Sequence, residues 1–233
     1  MSDPLLQPIG TDIWLTDGSH VEVAGFRYPT RMAVIRLTGG GLFIWSPVSL
    51  SETLRRQLEG LGEVRFLVAP NSLHHLFLAE WRQAYPQARL YGAPGLQQRR
   101  KDIDFDAELG DAAPAEWTED LDQVRVPGNR ITTEVVFFHR SSGVVLFTDL
   151  IQHFPRGWFR GWRSVVARLD LMTEPEPSVP RKFRIAFFDR RAAREALRRV
   201  LAWPSSKVVM AHGQPVESDG QAFIARAFRW LTD

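Results

Sequence analysis

Four side chains able to hold or move charge stand directly behind apolar, strand-like runs. His74 and His75 follow Val64–Ala69, Asp149 follows residues 144–147, and His212 follows residues 207–210. Loops at strand ends hold such groups in fixed positions and often carry function. Imidazole nitrogen and carboxylate oxygen are ligands for zinc, manganese or iron. An ion held there would acidify a bound water and polarise an ester or phosphoryl oxygen. The chain contains no Cys, which excludes disulfides, a cysteine nucleophile and thiolate ligands. Ser72, close to His74 and His75, suggests a metal-free hydrolase. No glycine-flanked nucleophile elbow surrounds it, so this ranks below the metal reading.

The elements that must position these residues fall into two strand-rich halves. In the first, a strand is expected over residues 12–15. A hairpin is expected over 31–37 and 42–45, turning at Gly39, Gly40 and Gly41. Ser49 and Glu52 fit a capping box for a helix that buries Leu50, Leu54, Leu58 and Leu61. A strand over Val64–Ala69 follows. A helix is then predicted over 74–85, with Leu73, Phe77, Trp81 and Ala84 on one face and Pro86 as its stop. Residues 88–92 form another strand, and the acidic run 101–120 reads as a surface connection. The second half predicts strands over 123–126, Glu134–His139, 144–147 and 207–210. Asp189 caps a helix carrying Ala193, Leu197, Val200 and Leu201, and a last helix over 219–231 turns Ile224, Phe228 and Leu231 inward. Residues 153–184, rich in Trp, Phe, Arg and Pro, read as an insertion or lid. Burying both inner sheet faces calls for an α/β sandwich with outer helices. No linker composition divides the chain, so one domain over residues 1–233 is expected.

Composition sets further bounds. A chain of 233 residues, 44% hydrophobic and 24% charged, can bury a sizeable core and is not generally disordered. The net charge is +2. Basic residues cluster at Arg156, Arg160, Arg163 and Arg168, and again at Arg181, Lys182, Arg184, Arg190 and Arg191. No compact nucleic-acid recognition motif accompanies them. No basic segment leads into an apolar run at the N-terminus, and no stretch approaches the ~20 apolar residues of a membrane span. A cytoplasmic location is the expectation. Peripheral membrane contact is a secondary reading, weakened by the Pro and Gly content of the aromatic segment.

The chain resembles the metallo-β-lactamase superfamily, and more closely an uncharacterised bacterial family of that fold. The resemblance runs over roughly residues 10 to 215. It rests on Arg31-Met32, Ser46-Pro47, Pro70-Asn71, His74-His75, Trp81 with Tyr85-Pro86, Ala93-Pro94-Gly95-Leu96, Phe147-Thr148-Asp149 and Ala211-His212-Gly213. It implies a four-layer αββα sandwich with a metal site along one edge. The superfamily's first ligand loop carries two alternating histidines and then an Asp-His pair. Here Asn71, Leu73, His75 and Leu76 take those places in one register, and a shift of one residue places His74 or His75 differently. The next histidine position falls near Thr133 or Glu134, of which Glu134 offers an oxygen ligand. Asp149 matches the bridging aspartate and His212 the late histidine. The signature is therefore degenerate.

On this reading the ligands of one altered, mononuclear site are His75, Asp149 and His212, with His74 and Glu134 behind them. Asp149 also orients the attacking water, and His74 moves a proton. The activity implied is metal-dependent hydrolysis of an ester, lactone or phosphoester. Arg156, Trp158, Arg160 and Trp162 are expected to form a substrate- or partner-binding wall, and His153 packs or caps nearby. The alternative is a non-catalytic ligand- or protein-binding member of the fold that has lost its metal.

Overall fold

The computed structural model describes residues 5–173 and 175–233. Its first sheet is built from β1 (Gln7–Gly10), β2 (Ile13–Asp17), β5 (Arg31–Arg36), β6 (Leu42–Trp45), β7 (Val64–Ala69), β8 (Arg89–Gly92) and β9 (Ala107–Glu108), in that spatial order. A separate hairpin, β3 (Val21–Val23) with β4 (Phe26–Tyr28), projects between β2 and β5. The second sheet runs β10 (Leu121–Val126), β11 (Glu134–His139), β12 (Val144–Gln152) and β13 (Lys207–His212), antiparallel except for the parallel pair β12–β13.

Seven helices are present among the described residues: α1 (Glu52–Leu61), α2 (Leu78–Ala84), α3 (Leu96–Arg99), α4 (Trp162–Leu169), α5 (Arg181–Ala186), α6 (Arg190–Leu201) and α7 (Gly220–Thr232). Ser51, rather than Ser49, caps α1, accepting a hydrogen bond from the Leu54 N–H. Asp189 caps α6 in the same way through the Ala192 N–H.

Three apolar layers hold the sheets and helices together. Phe43, Trp45, Phe66, Trp117, Phe137 and Leu146 fill the space between the two sheets. Leu54 and Leu58 of α1 and Trp81 of α2 pack against the outer face of the first sheet, on Val34, Ile44 and Leu67. Phe183, Leu197, Val200, Ile224 and Phe228 cover the outer face of the second sheet. Each fully buried side chain of this kind contributes about 1.5–3 kcal/mol. The result is helices, sheet, sheet, helices, with alternate residues of each central strand facing opposite layers.

Two departures from the sequence expectations matter for the site. Strand β12 does not stop at Phe147 but runs to Gln152, so Asp149 lies within a strand. Helix α2 begins at Leu78, not at residue 74, so both His74 and His75 lie in the turn that precedes it. Asn71 causes this delay. Its side-chain oxygen accepts the N–H groups of Leu73 (2.9 Å) and His74 (3.0 Å), a local alternative to helical pairing. The acidic run 101–120 is largely irregular, as expected, yet it buries Ile103, Leu109 and Trp117.

Candidate metal centre

Arg31, at the start of β5, anchors the end of the second sheet to the first. Its guanidinium donates to the carbonyls of Met210 (3.0 Å) and Gly213 and pairs with Asp17 (2.7 Å). The turn after His212 needs Gly213, where a Cβ would stand 2.7 Å from the His153 carbonyl oxygen. His212, the last residue of β13, is thereby fixed beside Gln152 of β12, its partner in the ladder.

Three side chains converge at this end of the sandwich. The His74 Nε2 lies 3.2 Å from Asp149 Oδ2, and the His212 Nε2 lies 3.3 Å from Asp149 Oδ1. One donor atom from each of His74, Asp149 and His212 falls within 4.8 Å of the others, close enough to chelate a single divalent ion. The His212 Nδ1 lies 2.7 Å from the Pro29 carbonyl oxygen, which can only accept. That nitrogen must therefore carry the proton, leaving Nε2 as the ring's lone-pair donor when neutral. The His74 Nδ1 is 2.8 Å from the Ser46 hydroxyl. Ser46 has a φ of 53°, a left-handed conformation uncommon for serine, directly after β6.

Beneath the three donors lies a buried polar support. The Asn71 amide donates to Asp149 Oδ2 (2.7 Å) and Thr148 Oγ1 (2.8 Å), and Gln152 Nε2 donates to Asp149 Oδ1 (3.2 Å). The Gln152 Oε1 is buried without a hydrogen-bond partner. Burial pushes the Asp149 carboxyl upward, but the charge of His74 and hydrogen bonds from His212 and His74 outweigh it. The group is held well below the ordinary carboxylate range.

Glu134 is placed differently from its expected ligand role. It is fully buried and spends both oxygens on backbone N–H groups of β12: Thr148 (2.8 Å), Asp149 (2.8 Å) and Leu150 (3.1 Å). Burial first, and then the Asp149 charge, raise its pKa. Its chemistry is that of a strand clamp, not of an open ligand.

Of the two adjacent histidines, the one ranked second as a ligand is the one that joins the cluster. His74, not His75, joins Asp149 and His212. The His75 Nδ1 meets the Arg100 guanidinium at 2.9 Å, and burial together with the Arg100 charge lowers its pKa. His153 donates its backbone N–H to the His212 carbonyl (2.8 Å) and does not enter the cluster.

A cavity of about 540 Å³ opens above the donors, walled by Phe26, Tyr28, Leu73, Phe77, Met172 and Phe183 among others. None of Arg156, Trp158, Arg160 and Trp162 lines it, so their expected contact with a substrate does not occur in this cavity. Trp158 is instead committed to the fold, its indole N–H donating to the Arg27 carbonyl (2.9 Å). Trp162 packs edge-on against Phe26, and Arg156 lines a separate groove. The aromatic segment reaches the cavity through Val166, Asp170 and Met172. The sequence reading missed Tyr28 and Lys182, which form the cavity's polar corner at 3.4 Å, and Gln152. A β3–β4 hairpin could have been sought in the alternating Val21, Val23 and Phe26.

Fold and site together define a metallo-β-lactamase-like sandwich with an incomplete ligand set. The chain belongs to the family described as a domain of unknown function, DUF4336, whose model matches residues 11–160. Among curated proteins, none matches the sequence. Solved structures carry the likeness in fold alone. The DIM-1 metallo-β-lactamase exposed to ceftazidime is 14% identical, with a TM-score of 0.66 over 98% of each chain. A metallo-β-lactamase from Erythrobacter litoralis with β-mercaptoethanol in its active site is 12% identical, with a TM-score of 0.67 over 100% of this chain and 97% of that one. FIM-1 from Pseudomonas aeruginosa, in its mono-zinc form, is 12% identical, with a TM-score of 0.65 over 99% and 97%.

Proposed function

We propose that this protein is a mononuclear metal-dependent hydrolase acting on an ester, lactone or phosphoester whose non-reacting part is apolar. The observation that carries this reading is the convergence of His74, Asp149 and His212 within 4.8 Å on the floor of an apolar-walled cavity. The donor set fits a divalent ion such as zinc, manganese or iron: two imidazole nitrogens and a carboxylate, the composition of many three-ligand catalytic sites. Such an ion, when bound, would polarise a carbonyl or phosphoryl oxygen and lower the pKa of water.

The chain's own residues supply the remaining functions. Pro29 and Ser46 fix the ring orientations of His212 and His74. Asn71 and Gln152 hold the Asp149 carboxylate, which stays ionised and is thus an acceptor for a water hydrogen at neutral pH. The apolar walls exclude water around the reacting bond and accept the substrate's hydrocarbon part. His74 is assigned here to holding the ion, and the proton-carrying role expected for it lapses. His75 and Glu134 carry no ligand role on this assignment, being committed to Arg100 and to backbone N–H groups.

The test is turnover of carboxylic ester, lactone and phosphodiester panels by protein loaded with zinc, manganese or iron. Metal-dependent turnover that falls about 10³-fold or more in Asp149→Ala and His212→Ala is expected. No metal-dependent turnover on any panel would end the hydrolase reading and leave a binding protein on the same scaffold.

A further inference from the structure

Helix α4 is turned inside out. Ala167 is buried, while Trp162, Val165, Val166 and Leu169 on the opposite face are 59%, 51%, 41% and 59% exposed. A helix that serves only to pack on a core has the reverse arrangement. The apolar face continues into the mouth of the site cavity: Val166 lines that cavity, and Trp162 meets Phe26 of its wall at 5.6 Å between ring centroids. Val23 and Leu76, 57% and 55% exposed, extend the same rim. A contiguous exposed apolar surface of this kind marks a docking site.

The charge beside it identifies the occupant. Residues 156–184 carry seven basic side chains against three acidic ones, in a chain whose net charge is only +2. Arg156 and Arg160, just before α4, and Arg168 within it are exposed and form no ion pair among the described residues. Arg163 lies over the Trp162 ring, 4.9 Å from its centroid. Of the acids near the rim, Asp170 is paired with Lys182 at 3.3 Å, Glu176 lies 3.7 Å from Arg226, and Glu22 is exposed on β3. A second copy is a poor occupant, because a two-fold contact sets the patch against itself and brings the arginines of both copies together.

We propose that the outer face of α4 docks on an anionic lipid surface, with Trp162, Val165 and Leu169 entering the interface and Arg156, Arg160 and Arg168 meeting the headgroups. Tryptophan and arginine suit those two depths. The cavity mouth then faces the acyl layer. This claim concerns binding and stands whether or not the metal site is catalytic.

The experiment is co-sedimentation of the intact chain with vesicles of phosphatidylcholine alone or mixed with phosphatidylglycerol. Binding roughly tenfold tighter to the anionic vesicles, and weakened by added salt, is expected. The double variant Val165→Asp/Leu169→Glu, at exposed positions outside the cavity lining, should lose that binding with unchanged circular dichroism and thermal midpoint. Arg156→Glu/Arg168→Glu should lose the preference for anionic lipid. In the otherwise native chain, the difference emission spectrum against Trp162→Phe should shift to the blue on adding anionic vesicles. Equal sedimentation with and without anionic lipid would overturn the proposal. A concentration-dependent dimer dissociated by the Val165→Asp/Leu169→Glu variant would do the same, since the patch would then belong to a second copy.

Discussion

The turn behind β7 and the paired ends of β12 and β13 reach the same cavity floor by different means. On β12 and β13 backbone groups do the placing, although the register between the two strands shifts between Phe147 and Gln152. Gln152 lies opposite His212, and Glu134 clamps three successive N–H groups from Thr148 to Leu150. Behind β7 the ladder gives way to one isolated bridge, Asn71 to Glu134. The Asn71 side chain sets the turn by binding two backbone N–H groups with its oxygen and Asp149 with its amide. One region rests chiefly on backbone pairing and the other chiefly on side-chain hydrogen bonds centred on Asn71, so the second should be the easier to disrupt functionally and the first the more expensive to disrupt energetically.

The largest effect on stability is expected from Glu134→Gln. The substitution turns an amide NH₂ toward backbone donors that now share the two Glu134 side-chain oxygens. It should lower unfolding free energy by about 3 kcal/mol in urea titrations. A loss below ~1 kcal/mol would mean that the ladder does not depend on this clamp.

Asn71→Ala should cost less, about 2 kcal/mol, by leaving Asp149 and the Leu73 and His74 N–H groups short of partners. It should also weaken metal affinity about 10–100-fold, because the turn that aims His74 is lost. Unchanged affinity would show that the turn is held by something else.

A smaller, pH-linked effect distinguishes the two buried carboxylates. The folded-state pKa of Asp149 lies below its ordinary value of 3.8, so the unfolded chain takes up the proton first as pH falls. Its contribution to stability is present above about pH 3.8 and is lost as pH drops toward the folded-state pKa. Glu134 is shifted the other way from 4.5, so its contribution is present below that pH and is lost as pH rises through its folded-state pKa. Between the folded-state pKa of Asp149 and about pH 3.8, metal-free wild type should therefore lose stability more steeply with falling pH than Asp149→Asn does. Parallel curves throughout would contradict the assignment.

Much of the fold was legible because its signals are local and repeated. The apolar runs Val64–Ala69 and Glu134–His139 and the leucine spacing of α1 each announce an element of one type. Asp149 and His212 were legible as donors because each closely follows such a run. The choice between His74 and His75 was not. A helical start at residue 74 was the natural reading of Leu73, Phe77 and Trp81, and the Asn71 side chain, acting across two and three residues, competes with it. The surroundings of Glu134 were hidden for a related reason: its three backbone partners lie 14 to 16 residues away and come alongside only in the fold. In the aromatic segment the residues that wall the cavity are not the conspicuous ones. Trp158 and Trp162 sit beside the cavity's neighbours, whereas Val166 and Met172 from the same stretch form its wall.

The central claim is that His74, and not its neighbour, completes a three-donor site. Elemental analysis of anaerobically purified protein measures this directly, on wild type and on the His74→Ala, His75→Ala, Asp149→Ala and His212→Ala variants. About one equivalent of metal is expected in wild type and in His75→Ala, and none in the other three. Folded wild-type protein that takes up no ion under zinc, manganese or iron, or a His75→Ala variant that loses its metal while His74→Ala keeps it, would contradict the account.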